Sequence, residues 1–439
     1  MTAPETGIAG LSDAQRTALA ELVGAHLARR AGGSGEAEPT VVEAEVLDGG
    51  RPGIVDVVAS VGSRLVHVAL GLREPGAETR FLAGDEDPVL GVFEDEAGLA
   101  VAFDATDDAE VVTLLLRRVT GSEADPTRVR QIRRTPESAT LGLEDRLAFT
   151  VFSELVDGPR PGLGLLLALD EVGFNHVAAP VAVWRRGGRE LGVVQEYLAG
   201  ASSGRALAVT SVRDLYASGG PPELAGGDFG AEAHRLGTMT ARMHLGLDQA
   251  FGRRPGSAVS WAEALEAAVA PLAPTLLDRP DTVALLEQMR GIAAPCHAIR
   301  THGDFDIGRV ARTEQGWFVT DFSAGGRPRT EAGIVGTAGG AASGGEPVYR
   351  SPLADVADLM WSLRVVADDA AVERDPDGRE GLGELAAAWA DRNRRAFFAG
   401  YLGVPGISGL VGVGHEAVRV LTSAFELEHE AGRLAAVRP

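Results

Sequence analysis

Apolar residues at Leu19, Leu22, Val23 and Leu27 recur at the spacing of one buried helix face, and Ser12 stands where such a helix needs a cap. A Gly-, Ser- and Glu-rich break follows at Gly32–Pro39. From Thr40 to about Thr120 the pattern reads as β. The predicted strands are Val41–Val46, Ile54–Val61, Leu65–Leu72, Val89–Phe93, Leu99–Phe103 and Val111–Arg118, with turns at Asp48-Gly49-Gly50, Gly62-Ser63 and Asp104–Asp108. A second segment, Arg128 to about Leu198, predicts strands at Val129–Arg134, Thr140–Leu143 and Arg146–Phe152, a helix at Gly164–Val172, and strands at Val181–Arg185 and Leu191–Tyr197.

From Gly200 the period becomes helical. Leu236, Met239, Met243 and Leu247 share a face, Ser260-Trp261-Ala262-Glu263 spells a capping box, and the run reaches Arg290. Val310, Ala311 and Trp317–Val319, around a turn at Thr313–Gly316, predict a hairpin. Gly333–Gly345 reads as a mobile Gly/Ala/Ser stretch, and helices are expected at Ala354–Val366, Gly381–Tyr401 and His415–Ala436. Three parts follow: a cap of one helix plus sheet at 1–126, a β subdomain at 127–199, and a mostly helical part at 200–439.

Composition narrows the chemistry. The 439 residues are 45% hydrophobic, enough for more than one core. The formal charge of -21 disfavours nucleic acid and anionic membranes and favours a cationic small molecule. All 41 basic residues are arginine. Without lysine there is no Walker A loop, no Schiff base and no phosphate-binding strand lysine. Cys296 is the single cysteine, expected to be buried and without a disulfide. Met1–Leu11 lacks the basic and apolar pattern of a secretion signal, and runs such as Leu165–Leu169 and Leu385–Ala390 are far below the roughly 20 residues of a membrane span, so a cytoplasmic location is expected.

The chemistry concentrates at Thr301–Val310, THGDFDIGRV, and Trp317–Phe322, WFVTDF. A helix is expected before this region. Asp304 is suited to accept the proton of an attacking hydroxyl, His302 to brace the loop, and Asp321 to hold a Mg2+ ion on nucleotide phosphates. The plainer alternative is a pair of capping or turn carboxylates. The turn at Pro136–Thr140, with the Ser138 and Thr140 hydroxyls, is either a phosphate-covering loop or an ordinary hairpin turn. His234 and His244 are ten residues apart rather than four, which favours packing or surface roles over metal binding.

These motifs occur in a telling order: DRLAFTVFSEL from Asp145, ALDEVGFNHVAAP from Ala168, VVQEYLAG from Val193, LGTMTARMH from Leu236, HGD, DF, and SPLADVADLMWSLR from Ser351. In that order the chain resembles the actinobacterial maltokinase-like branch of the aminoglycoside phosphotransferase and protein-kinase-like superfamily. The resemblance implies an α+β, bilobal protein-kinase-like fold carrying an extra β-rich N-terminal cap. It also implies ATP and Mg2+ as cofactors, Asp304 as catalytic base, Asp321 as metal ligand, and Gln195, Glu196, Tyr197 and Leu198 as the hinge that holds adenine.

The chain departs from that pattern where phosphate and metal are handled. Thr150 stands at the usual lysine and Gly164 at its glutamate partner, while Asp306 and Arg309 replace a histidine and a metal-binding Gln or Asn. Arginine cannot ligate Mg2+. Either Asp306 takes over metal binding, or Arg309 contacts phosphate while Asp306 faces the substrate, where a carboxylate would pair with an ammonium. Arg133 is a second candidate for the phosphate contact. The stretch FELEHEAG adds Glu426, Glu428 and Glu430 in a region matching the sugar-contacting part of maltokinases, or else a solvated acidic face; Trp261 and Trp361 could stack on a sugar, with core packing the favoured reading of each. The expectation is an ATP-dependent kinase of an amino sugar, with glucosamine giving glucosamine 6-phosphate in the lead. A maltokinase or aminoglycoside phosphotransferase is the alternative enzyme, and a pseudokinase that binds sugar or nucleotide without chemistry is the alternative of another class.

Overall fold

The computed structural model describes residues 11–31, 38–77, 81–82, 88–122, 128–156, 158–225, 227–322, 349–378 and 381–436. The stretch Gly333–Gly345 lies outside them. The chain divides into two compact units, residues 1–160 with 179–199, and residues 161–178 with 200–439.

The first unit opens on helix α1 (Asp13–Ala31), where the Gln15 N–H donates to Ser12 Oγ at 3.2 Å and Gln15 Oε1 accepts the Ser12 N–H at 3.0 Å. Strands β1 (Thr40–Asp48), β2 (Gly53–Val61), β3 (Arg64–Arg73), β4 (Val89–Asp95) and β5 (Gly98–Asp104) form an antiparallel sheet in the order β1-β2-β3-β5-β4. Strand β2 is buried on both faces because its alternate residues serve different cores. Val55, Val57, Ala59 and Val61 pack with Leu19, Leu22 and Val23 of α1. Ile54 and Val58 join a core shared with the unit's other sheet. Asp56 interrupts the apolar run, and it is paired with His67 (2.5 Å) and Arg186 (2.5 Å).

One predicted strand is a helix. Residues Val111–Arg118 lie in α2 (Ala109–Thr120), whose first turn is closed by Asp108 accepting from the Glu110 and Val111 N–H groups. Buried Val111, Val112, Leu115 and Leu116 line one helical face, a period that outweighs the β-branched composition. The unit continues with β6 (Val129–Thr135), β7 (Ser138–Leu143), β8 (Leu147–Phe152) and the short β9 (Glu154–Leu155), which pairs with β3. After a helix of the second unit, α3 (Pro161–Glu171), come β10 (Pro180–Arg186) and β11 (Arg189–Glu196), completing a sheet in the order β10-β11-β8-β7-β6. Inside this unit His26 of α1 is buried beside Asp104 (3.3 Å), which also binds Arg30 (2.9 Å). Burial lowers the His26 pKa to about 4, against the pull of Asp104, so at neutral pH its Nδ1–H donates as a neutral ring.

The second unit is mainly helical: β12 (Ser202–Ser203), α4 (Gly204–Ser218), α5 (Gly230–Phe251), β13 (Arg254–Gly256), α6 (Ala258–Val269), α7 (Pro274–Leu277) and α8 (Pro280–Arg290). Next are β14 (Cys296–Arg300), β15 (Val310–Thr313), β16 (Gly316–Val319), β17 (Tyr349–Arg350), α9 (Pro352–Arg374), α10 (Leu382–Leu402), α11 (Ile407–Val411) and α12 (His415–Ala436). The predicted hairpin is β15–β16, with Thr313 paired to Gly316. The capping box is displaced: α6 starts three residues early because Ser257, not Ser260, accepts the first N–H, and Ser260 is its donor at 3.3 Å. The element leading into HGD is strand β14, not a helix.

Helices α5 and α10 meet at two glycines. A Cβ on Gly237 would collide with the Phe397 carbonyl, and one on Gly400 with the His234 carbonyl. Gly162 in the first turn of α3 is similarly fixed, since a Cβ there would strike the Phe322 carbonyl. Cys296 is buried, and no described helix is long and apolar enough to cross a membrane.

Candidate active site

The HGD loop leaves the end of β14 and is held from below by Asp355. That carboxylate lies in the first turn of α9, an end where the helix dipole favours negative charge. Its Oδ2 accepts the His302 N–H and its Oδ1 the Gly303 N–H, both at 2.8 Å. His244 Nε2 is 3.2 Å from the same Oδ2, and His244 Nδ1 is 2.9 Å from Tyr401 Oη. An ionised Asp355 takes the Nε2–H, which leaves Nδ1 to accept the tyrosine hydroxyl. Burial alone would raise the Asp355 pKa; the hydrogen bond from His244, with the backbone donors, brings it below the ordinary carboxylate value. Burial pushes Tyr401 well above its usual value, so it remains a donor.

His302 ties the loop to the end of β16. Its Nε2 is 2.7 Å from the Asp321 carbonyl, which can only accept, so the proton is on Nε2. Burial lowers the His302 pKa and keeps the ring neutral, although Asp355 pulls the other way.

Asp304, Asp306 and Asp321 converge on Arg309. This residue closes a single 3-10 turn, Ile307–Arg309, capped by Asp306, whose Oδ1 accepts the Gly308 N–H at 2.6 Å. Arg309 is anchored by its backbone: its N–H donates to Asp306 O at 3.0 Å, and its carbonyl accepts from Thr320 N (2.9 Å) and Thr320 Oγ1 (3.0 Å). The guanidinium donates to Asp304 Oδ2, reaches Asp321 Oδ2 at 2.9 Å through Nη1, and lies 3.7 Å from Asp306 Oδ2 through Nε. The expected proton acceptor, Asp304, and the expected metal ligand, Asp321, are thus joined by one cation.

Carboxylate oxygens suit Mg2+, which usually binds through one or two carboxylates plus phosphate oxygens and water. Among the described residues no group of three or more His, Cys, Asp or Glu could hold a metal ion. The donor set at Asp321 offers one ion a single carboxylate, to be completed by phosphate oxygens and water. It does not fit a pair of ions, because the guanidinium lies between the two aspartates.

In the first unit, Thr150 on β8 is registered with Thr140 on β7, and their hydroxyls are 3.0 Å apart. A neutral hydroxyl pair thus occupies the level at which the resemblance calls for lysine. Ser138 follows the β6–β7 turn, its N–H donating to Thr135 Oγ1 at 3.2 Å, and Arg133 is exposed on β6. Gln195 and Glu196 end β11, pairing with Ala148 and Leu147 of β8. The Glu196 N–H donates to Ala179 O and the Tyr197 N–H to Arg146 O, both at 2.8 Å, while Tyr197 Oη accepts from Arg130 at 2.6 Å.

On α12 the three glutamates each meet an arginine: Glu426 with Arg394, Glu428 with Arg350 (3.3 Å) and Glu430 with Arg279 (2.7 Å). Burial raises the Glu426 pKa despite Arg394. Between them His429 binds Asp358 at 2.6 Å and stacks on Trp361 with ring centroids 5.7 Å apart. Burial would lower the His429 pKa, but Asp358 and the neighbouring glutamates raise it. Trp261 stands edge-on to Phe425, with centroids 6.0 Å apart.

Sequence reasoning named the carboxylates and gave His244 a packing or surface role, which its burial matches, but missed Asp355 and Tyr401 and the bonds that join the three. A signal existed: Asp355, Leu359 and Leu363 recur at four-residue intervals, so a charge sits on an apolar helix face and requires partners.

The fold is the α+β, protein-kinase-like architecture, preceded by additional β structure. No protein-family model matches the sequence. Among solved structures, the chain is similar to a glucosamine kinase in complex with glucosamine, ADP and inorganic phosphate, at a TM-score of 0.60 and 20% identity over 93% of each chain. A crystal form of glucosamine kinase gives 0.53 at 21% identity, covering 89% of this chain and 86% of that one.

Proposed function

We propose that this protein is an ATP-dependent sugar kinase that phosphorylates an amino sugar, with glucosamine converted to glucosamine 6-phosphate as the leading reaction. The observation that carries the reading is the convergence of Asp304 and Asp321 on one guanidinium, which supports their acting on one phosphoryl group as proton acceptor and metal-binding carboxylate. A fold like that of a glucosamine kinase caught with sugar and ADP supports the same choice.

In this mechanism Asp304 accepts the proton of the sugar hydroxyl as that oxygen attacks the terminal phosphorus. Asp355, through the His302 and Gly303 N–H groups, fixes the loop so that the carboxylate needs no rearrangement. Bound Mg2+ at Asp321 would offset phosphate charge. The Leu198 N–H is the proposed adenine contact, because the donors of Glu196 and Tyr197 already serve protein carbonyls. Glu426, Glu430 and Trp261 are proposed to face the sugar. Glu426 would meet an ammonium only by sharing or releasing Arg394.

A coupled assay of ADP release across a panel of sugars tests the reading. Glucosamine is expected to turn over fastest; equal turnover of maltose or an aminoglycoside removes the substrate assignment.

A second reading, a non-catalytic sugar- or nucleotide-binding protein, is favoured by the Thr140–Thr150 pair in place of a cation. Calorimetry with Mg-ATP separates the two. Binding without turnover of any sugar supports the second reading.

A further inference from the structure

We propose that the Arg309 guanidinium is this protein's own fixed cation at the phosphoryl-transfer site, taking the place of a second divalent metal, so that the nucleotide binds with a single metal ion. The inference deepens the kinase reading and rests on it.

Position is the first argument. Where two ions serve in kinases, one is held by the aspartate after the hairpin and the other by a side chain of the catalytic loop. Arg309 is on that loop, five residues beyond Asp304, and its side chain already spans Asp304 and Asp321. A metal bridging these carboxylates would have to stand where the guanidinium stands.

Charge is the second. Asp304, Asp306 and Asp321 bring three negative charges to one point. The guanidinium offsets one and a single divalent ion the other two. A second divalent ion would have no protein charge left to offset it and would be balanced by the nucleotide phosphates alone. With no lysine in the chain, and a neutral Thr140–Thr150 pair on the sheet, arginine is the side chain left to supply permanent positive charge.

Anchorage is the third. The Arg309 backbone is held by Asp306 and twice by Thr320, and Thr320 immediately precedes Asp321. A side chain that merely blocked the site until displaced would not need its root bonded to the neighbour of the metal ligand. The backbone bonds fix the root of the side chain, and the ion pairs to Asp304 and Asp321 hold its end.

The test counts Mn2+ ions, read by electron paramagnetic resonance during equilibrium titration of the full chain with ADP present. One bound Mn2+ per chain is expected for the native protein and for Arg309→Lys, which keeps the charge. Arg309→Gln, whose amide oxygen can ligate, is expected to admit a second ion. Circular dichroism verifies that each variant is folded. A native protein that binds two ions with ADP overturns the proposal and leaves the kinase reading intact, as does an Arg309→Gln protein, folded, that still binds one. Absence of any Mn2+·ADP binding by the native protein defeats the kinase reading and the proposal with it.

Discussion

Asp355 accepts the backbone N–H of His302 at 2.8 Å across a separation of 53 residues. Its other oxygen takes the next N–H, and the carboxylate is completely buried. The loop that carries Asp304 is thus defined by a side chain with no exposure to solvent.

Replacing Asp355 by Asn turns an acceptor into a donor facing a backbone N–H. We expect a loss of about 2–4 kcal/mol in stability, from a broken buried charge network, read as a lower denaturant midpoint. Turnover of the folded fraction should fall as well, because Asp304 loses its support. An unchanged midpoint would show that the loop is held by something else.

Asp304→Asn removes the acceptor while keeping the shape. Turnover should drop by roughly 10²–10⁴-fold, the usual contribution of a positioned general base. Nucleotide binding measured by calorimetry should remain within a few-fold. Near-native turnover would take the role of base away from Asp304.

Gly162→Ala places a methyl group against the Phe322 carbonyl, one residue after Asp321. Overpacking of this kind costs about 1–3 kcal/mol. A lower melting temperature and weaker Mn2+·ADP binding are both expected, and full retention of the two would mean that α3 can retreat freely.

The pH dependence of stability should carry the signature of His26. Its pKa is about 4 in the folded chain against 6.5 when free, so between those values the unfolded chain takes up a proton that the native state refuses. Stability therefore falls as pH drops from 6.5 toward 4, by up to about 3 kcal/mol from this group, and is unaffected by it above 6.5. In His26→Leu the slope over that window should flatten in denaturant titrations. A slope identical to the native one would assign the acid sensitivity elsewhere.

The helical face of α5 and the hairpin at 310–319 were readable because their periods are regular. α2 was not, since Val111–Arg118 offers β-branched and apolar residues in a short run, and the helix shows only in the spacing of Val111, Val112, Leu115 and Leu116 and in the Asp108 cap. The convergence of Asp304 and Asp321 on Arg309 was only half legible. Sequence order placed the two acids near each other, and the arginine was recognised as unable to bind metal, but contact of its side chain with both is a fact of three dimensions. The pairing of Asp355 with His244, and of His244 with Tyr401, was hidden for a related reason: the partners lie 111 and 157 residues apart.

The glycine crossing of α5 and α10 bears on how this site can move. Gly237 and His244 are two turns apart on α5, and Gly400 adjoins Tyr401 on α10, so the point of closest backbone approach lies beside the His244–Tyr401 bond. With each helix's carbonyl filling the space of a missing methyl on the other, neither can slide along its partner. The crossing thereby sets the spacing of the two helices that carry His244 and Tyr401, whose bond continues through Asp355 to the HGD loop.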